Sequence, residues 1–130
     1  MYQQNFKAIV SKSGASLFAS LDVVFFRENE TTIAYCPALD LSAYGDNQKD
    51  ARKEFAQSFY EYSSYCIDNA TLDKDLLAHG WTIKDGKLKE PAMDYMIRKN
   101  ETLRDIVNNK NYRKLTIPVN RTRRIKTAVM

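Results

Sequence analysis

The sequence predicts an α+β fold, in which a small antiparallel sheet carries one main helix on one face. Short runs of β-branched, aromatic and alternating residues fill the first third of the chain. A helical stripe of apolar residues follows them, and an extended alternating segment lies near the C-terminus. With 130 residues, the chain is long enough to bury a core without a disulfide or a metal ion.

The first part of the chain predicts four strands. They cover residues 6–10, 17–26, 31–36 and 39–44, and the second segment is long enough for one or two strands. Pro37 ends the third strand, because proline cannot donate to a central ladder. Gly45 follows the fourth strand, and we expect a turn with a positive φ there.

Two helices are predicted next. The first covers about 20 residues and begins after Asn47, which suits the N-cap position. Its apolar stripe recurs at spacings of three and four residues, at Ala51, Phe55, Phe59, Tyr62 and Cys66. The second, shorter helix spans residues 72–79, with Thr71 as its N-cap and Gly80 as its left-handed stop.

A hairpin and a further helix are predicted beyond Gly80. The Asp85-Gly86 pair suits a two-residue turn, which would place Ile83 opposite Leu88. Pro91 is expected at the first position of the helix that follows, and this helix is expected to break near Asn100.

The last segment predicts an extended strand over residues 112–119, in which Pro118 favours a sheet edge or an arm. Residues 120–130 are expected to be mobile. We therefore divide the chain into an α+β domain over residues 1–90 and a C-terminal helix, strand and basic tail over residues 91–130.

Charge separates the same two parts. The net charge is +4, but residues 109–130 contain seven basic residues and no acidic one, whereas the preceding 108 residues carry a net charge of −3. A basic tail on a mildly acidic domain indicates a polyanion or an acidic protein surface as the partner. The alternative is a tail that is simply solvated.

The N-terminus lacks the pattern of a secretory signal, and the longest apolar run, over residues 23–26, is far too short to span a membrane. Cys36 and Cys66 share no metal-binding spacing and are expected to be buried free thiols. These features predict a cytoplasmic protein without membrane contact.

Catalytic signals are weak. His79, the single histidine, falls at the end of a predicted helix, and the sequence has no glycine-rich phosphate loop, zinc motif or nucleophile elbow. Asp22, Asp40 and Asp46 lie in or near strands and are the candidates for a metal-dependent nuclease, although their spacing does not support one. We therefore assign no catalytic, metal or cofactor residues and predict that the chain is not an enzyme.

Binding signals lie in the C-terminal part. Candidate contacts with a nucleic acid or another partner are Arg113, Lys114, Arg121, Arg123 and Arg124, with Tyr112 available to stack on a base. The terminal strand must pair with its own sheet, with a second copy or with a partner's sheet edge, and pairing within a homodimer is the preferred prediction.

Residues 17–70 contain a Pro-x-Leu motif, a Gly-Asp pair and a predicted helix that opens with an acidic residue followed by alanine. The residues of these motifs are Pro37, Leu39, Gly45, Asp46, Asn47, Asp50 and Ala51, and we expect structural roles for them. Through these motifs, residues 17–70 resemble the HicB-type antitoxin family. Asp40 stands where the family usually has glycine, and Asn47 where many members have threonine.

The resemblance implies a partial RNase H-like fold without the catalytic carboxylates. It also implies an antitoxin that binds a small HicA-like ribonuclease toxin, regulates its operon and forms a homodimer or higher oligomer. Residues 91–130 do not match either DNA-binding module of the family, so operator binding does not carry over with the fold. A stand-alone relative of the family, or a small nucleic-acid-binding regulator that uses the basic tail, are the alternatives.

Overall fold

The computed structural model describes the backbone of residues 8–10, 15–84 and 87–122, and the side chains of residues 20–82 and 89–119. Strands and helices alternate in blocks along the chain, which confirms the α+β class. The elements are β1 (Ala8–Val10), β2 (Ala15–Glu28), β3 (Thr31–Cys36), β4 (Leu41–Gly45), α1 (Gln48–Asp68), α2 (Leu72–Ala78), β5 (Thr82–Lys84), β6 (Lys87–Lys89), α3 (Met93–Lys99), α4 (Glu101–Asn109) and β7 (Tyr112–Thr122).

Across the described residues, the seven strands form one antiparallel sheet in the order β4-β3-β2-β1-β6-β5, with β7 paired to β2. The long strand β2 organises this sheet. Strand β7 covers one of its edges from Ser16↔Thr122 to Phe26↔Tyr112. Strands β1 and β3 share the other edge, because β1 pairs with the start of β2 and β3 with its end.

Helix α1 packs on one face of this sheet. Gly45 at the end of β4 abuts the backbone of Asp50 and Ala51 in α1, and Phe55 and Phe59 lie against β7. Leu21, Val23 and Phe25 of β2 alternate onto the same face, and all three are buried. This face therefore forms the main core, as the sequence predicted.

The two C-terminal helices lie on the other face. Asn100, between α3 and α4, donates a 2.8 Å hydrogen bond from Nδ2 to Oη of Tyr35, which alternates away from the α1 face. Leu103 and Ile106 of α4 are fully buried, and Met96 of α3 is nearly so. The sheet is thus covered on both faces.

Most local predictions are confirmed. The Asn47 side chain caps α1 by accepting from the Asp50 amide at 2.8 Å, and Gly80 follows α2 with a φ of 94°. Strand β3 ends at Cys36, directly before Pro37, and strands β5 and β6 pair Ile83 with Leu88 as predicted. The predicted turn at residues 85–86 lies outside the described residues.

Asn100 ends α3 and caps α4 by accepting from the Leu103 amide at 2.9 Å, so the expected helix break is present. The residue at the break performs three tasks at once: it terminates one helix, starts the next and binds Tyr35.

Four local predictions need correction. Gly45 does not have a positive φ, and it is required instead because a Cβ atom would lie 2.4 Å from the Ala51 nitrogen. Leu39 and Asp40 belong to the turn before β4, with Asp40 itself at a φ of 52°. The Thr71 side chain makes no capping bond to α2, and α3 begins at Met93, two residues after Pro91.

The end of the chain also differs from the prediction. Residues 120–122 were expected in the mobile tail, but they continue β7 because β2 extends far enough to pair with them. Strand β7 pairs with β2 of its own chain, and pairing of this strand across a homodimer stays a prediction. Residues 123–130 lie outside the described part.

Candidate nucleic-acid interface

The predicted contact residues lie on the outermost strand beside β2. Strand β7 uses one edge to pair with β2, and no other described strand pairs with its second edge. Arg113 and Lys114 are exposed on this strand, and Arg121 is part of its paired backbone. Arg123 and Arg124 lie outside the described residues, so the structure places three of the five predicted residues on one strand.

Successive residues of β7 face opposite sides of the sheet, and Lys114 lies on the side away from α1. Its ammonium group is 3.8 Å from Oδ2 of Asp22, and Thr116 donates a 2.8 Å hydrogen bond to Oδ1 of the same carboxylate. Lys110, just before β7, is likewise 3.2 Å from a carboxylate oxygen of Glu28. Acids of β2 therefore partly neutralise these two lysines.

Arg113 faces the α1 side, where the surroundings differ. It lies directly opposite Phe25, so Arg27, two residues along β2, is its diagonal neighbour on the same face. Among the described residues, neither arginine forms an ion pair with a carboxylate. This pair of like charges makes this part of the face positive.

A cavity of about 380 Å³ lies around these two arginines. Besides Arg27 and Arg113, it is lined by Phe25, Phe26, Thr32, Asn47, Gln48, Asn111 and Tyr112. Arg27 is held in place because its Nη1 donates to Thr32 Oγ1 at 2.8 Å and to the Asp46 carbonyl at 3.0 Å. No described residue of the lining is acidic.

Sequence reasoning missed Arg27, which reads as polar turn material before Asn29. The alternation of Val23, Phe25 and Arg27 does place all three on one face. This alternation indicates a site only once the β2–β7 register is known, because the register brings Arg27 next to Arg113, which is far away in the sequence.

A second, more apolar groove of about 220 Å³ lies between α1 and β7. The buried rings of Phe55 and Phe59 form its floor, Ile117 and Val119 form one wall, and the exposed Tyr60 lies at its rim. The inward face of β7 therefore contributes to packing, whereas its edge and its cations are available to a partner.

The residues of the HicB-like motif lie in or beside the joints of the β3–β4–α1 unit. Pro37 and Leu39 are buried in the turn after β3, and Ala51 is fully buried beneath Gly45. Asn47 caps α1, and Asp46 supplies the backbone carbonyl that binds Arg27. Their structure indicates positioning roles, with Asp46 and Asn47 adjoining the cavity.

The three candidate metal-binding aspartates do not gather around one point. Asp22 binds Thr116 and Lys114, Asp40 accepts a 2.8 Å hydrogen bond from Tyr35, and Asp46 precedes α1. Within the described ranges, no group of three histidine, cysteine or carboxylate side chains is arranged to hold a metal ion. His79 ends α2, and its Nδ1 lies 2.9 Å from the Asp75 carbonyl oxygen.

Both cysteines are buried free thiols, as predicted. Burial raises the pKa of Cys36 to about 12 and also raises the pKa of Cys66, because the thiolate would lose its hydration. Both therefore remain protonated at neutral pH and act as small apolar side chains.

No helix in the described part of the chain combines the length and apolar character that a membrane span needs. No family model, curated protein or solved structure matches the chain.

Proposed function

We propose that this chain is a non-catalytic binding protein whose partner is a nucleic acid, contacted through strand β7. The observation that carries the proposal is the position of β7, an outer strand that bears exposed cations. Its eleven residues, Tyr112–Thr122, include no acid, and the chain beyond it continues with further arginines. A row of cations at an accessible edge can follow a line of phosphates.

The cations of β7 differ in their freedom to bind phosphate. Lys114 must leave Asp22, whereas Arg113 has no carboxylate partner among the described residues. Each phosphate contact releases condensed counterions, so the affinity should fall steeply as the salt concentration rises. Arg113 should contribute more to this dependence than Lys114, because Lys114 is already partly neutralised.

Fluorescence anisotropy with a labelled single-stranded oligonucleotide, titrated at several salt concentrations, tests the proposal. The double variant Arg113→Gln/Lys114→Gln should bind more weakly and lower the salt slope by about 1 per lost phosphate contact. Lys53→Gln, which removes one exposed cation from α1, is the control and should change binding little. Equal losses in the control and in the double variant would contradict a role for β7.

Truncation at residue 110 is not a suitable test. It would remove the strand that pairs with β2 from residue 16 to residue 26, and with it part of the cover of the core. Substitution of the cations preserves the sheet and isolates their charge.

A second candidate function is that of a HicB-like antitoxin, whether it neutralises a toxin or acts as a stand-alone relative. It is supported by the β2–β3–β4–α1 unit, an antiparallel three-strand arrangement with a helix on one face. The motif residues that carry the resemblance occupy the joints of this unit. The mechanism would be steric, with this unit covering the RNA-binding or catalytic face of a small ribonuclease.

Co-expression with the product of any small ribonuclease gene beside this one tests the antitoxin proposal. A stable complex on size-exclusion chromatography, together with loss of ribonuclease activity, is the expected result. Independent elution of the two proteins with full ribonuclease activity would exclude that product as a toxin of this chain.

A further inference from the structure

We propose that the cavity between Arg27 and Arg113 binds a nucleotide through a terminal phosphate monoester. This inference deepens the proposed nucleic-acid function. It rests on that function if the ligand is the phosphorylated end of a nucleic-acid strand. A free nucleotide carries the same phosphate monoester, so the two sources share one chemistry.

Charge is the first argument. Two guanidinium groups reach into one cavity from diagonal positions on adjacent strands, and its described lining contains no carboxylate. Glu28, the next residue after Arg27, already lies 3.2 Å from Lys110 Nζ. A phosphate monoester carries a charge of about −1.5 to −2 at neutral pH, which matches two guanidinium groups better than the single charge of an internal phosphodiester.

Preorganisation is the second argument. Thr32 and the Asp46 carbonyl both accept from Nη1 of Arg27, so the guanidinium group is fixed by two neutral oxygens. The remaining Nε and Nη2 donors have no described hydrogen-bond partner. A guanidinium that is held but not neutralised loses little conformational entropy when it binds an anion bidentately.

The remaining lining suits the rest of a nucleotide. Asn47, Gln48 and Asn111 supply amide groups, and Asn47 keeps its Nδ2 donor because the capping bond uses its Oδ1. A volume of about 380 Å³ lies within the range of small-ligand pockets.

Adjacent residues of β7 provide a matched pair of variants. Arg113→Gln removes a charge on the cavity side, and Lys114→Gln removes a charge from the next residue, which faces the other side beside Asp22. Arg27→Gln tests the second guanidinium group. Thermal unfolding of each variant verifies that it folds before binding is measured.

Isothermal titration calorimetry should use one oligonucleotide with phosphates at both ends, the same oligonucleotide with hydroxyls at both ends, and the free nucleoside monophosphate. We expect about tenfold tighter binding of the phosphorylated strand by the unmodified protein. Arg27→Gln and Arg113→Gln should abolish this preference, and Lys114→Gln should keep it.

The arms separate the possible outcomes. Tight binding of the free nucleotide identifies it as the source of the monoester, and tight binding of the phosphorylated strand alone identifies a strand end, so either result supports the cavity site. The proposal is overturned if the phosphorylated and hydroxyl-ended strands bind equally. It is also overturned if Arg113→Gln and Lys114→Gln reduce the preference for the phosphorylated strand equally. If salt-dependent binding of the hydroxyl-ended strand persists in that case, the proposed function stands without the cavity. If only the free nucleotide binds, the cavity stands and the nucleic-acid function fails.

Discussion

Glu90 is a half-buried acid between β6 and α3. Burial, reinforced by the nearby charge of Asp22, raises the pKa of its carboxyl to about 8, against a small opposing effect of Lys89. The folded protein therefore keeps a proton on Glu90 at neutral pH, whereas the unfolded chain releases it near the ordinary value of about 4.3. The ionised side chain is the form that the fold disfavours.

The first prediction concerns stability against pH. Between about pH 4.3 and about pH 8 the folded state binds more protons at Glu90 than the unfolded state, so this residue makes stability fall as pH rises. Glu90→Gln removes that loss. The variant should therefore have a larger free energy of unfolding than the unmodified protein, measured by urea denaturation. This difference should grow as the pH rises from about 4.3 to about 8. Glu54→Gln, on the exposed face of α1, is the control, and a gain that does not change with pH would contradict the prediction.

Gly45 gives a second prediction at the residue scale. A Cβ atom there would lie 2.4 Å from the Ala51 nitrogen and 2.8 Å from the Asp50 Cβ, so β4 and α1 would have to separate. We expect Gly45→Ala to lower the free energy of unfolding by about 1–3 kcal/mol. Ser42→Ala, at an exposed position of the same strand, should change it little. Equal stability of the two variants in urea denaturation would show that the joint can move apart freely.

Residues differ in how far the sequence reveals their roles. The need for glycine at position 45 was visible, but its cause is a close approach between two elements rather than a turn conformation. Arg27 could not be predicted as a site residue, because only the β2–β7 register places it beside Arg113. Local patterns specify residue type and face, whereas a site formed by distant segments requires the tertiary pairing.

At the scale of elements, one hydroxyl joins the sheet to the helices on its second face. Tyr35 of β3 accepts a hydrogen bond from Asn100 Nδ2 and donates one to Asp40 Oδ1, each at 2.8 Å. Burial is the largest cause that raises the pKa of Tyr35 to about 12, so the hydroxyl keeps its proton at neutral pH. The α3–α4 junction is thereby fixed to the turn between β3 and β4.

Tyr35→Phe tests this connection. The change leaves the Asn100 amide and the Asp40 carboxylate without their partner, and we expect a loss of about 1–3 kcal/mol in the free energy of unfolding. Tyr44→Phe is the matched control, because that ring is 60% exposed on β4. Indistinguishable denaturation curves for the two variants would refute a structural role for the hydroxyl.

Elements with strong local signals were predictable, and their long-range partners were not. The stripe of α1 and the Ile83↔Leu88 hairpin register followed from spacing and turn chemistry, which act within a few residues. The alternation of residues 112–119 predicted a strand but could not select β2 as its partner. That choice depends on the length of β2, whose free edge can accommodate all of β7.

At the scale of the whole molecule, the edge of β7 governs self-association. Two copies paired through this edge would bring Arg113, Lys114 and Arg121 close to the same cations of the second copy. Pro118 also lacks the N–H group that a new ladder would use. Charge and proline are both means by which sheet edges resist pairing with one another. The predicted homodimer therefore either uses another surface or must overcome this repulsion.

The direction of the salt dependence separates these possibilities. Salt screens like charges, so a dimer formed through β7 should become tighter between about 50 mM and about 500 mM salt. Nucleic-acid binding through the same strand should weaken over that range. Sedimentation equilibrium of the unmodified protein and of Arg113→Gln/Lys114→Gln measures how salt and the loss of these two cations change the affinity of the dimer. At low salt, the double variant should dimerise more tightly than the unmodified protein. A dimer whose affinity changes neither with salt nor with the two substitutions would place the self-association surface away from β7.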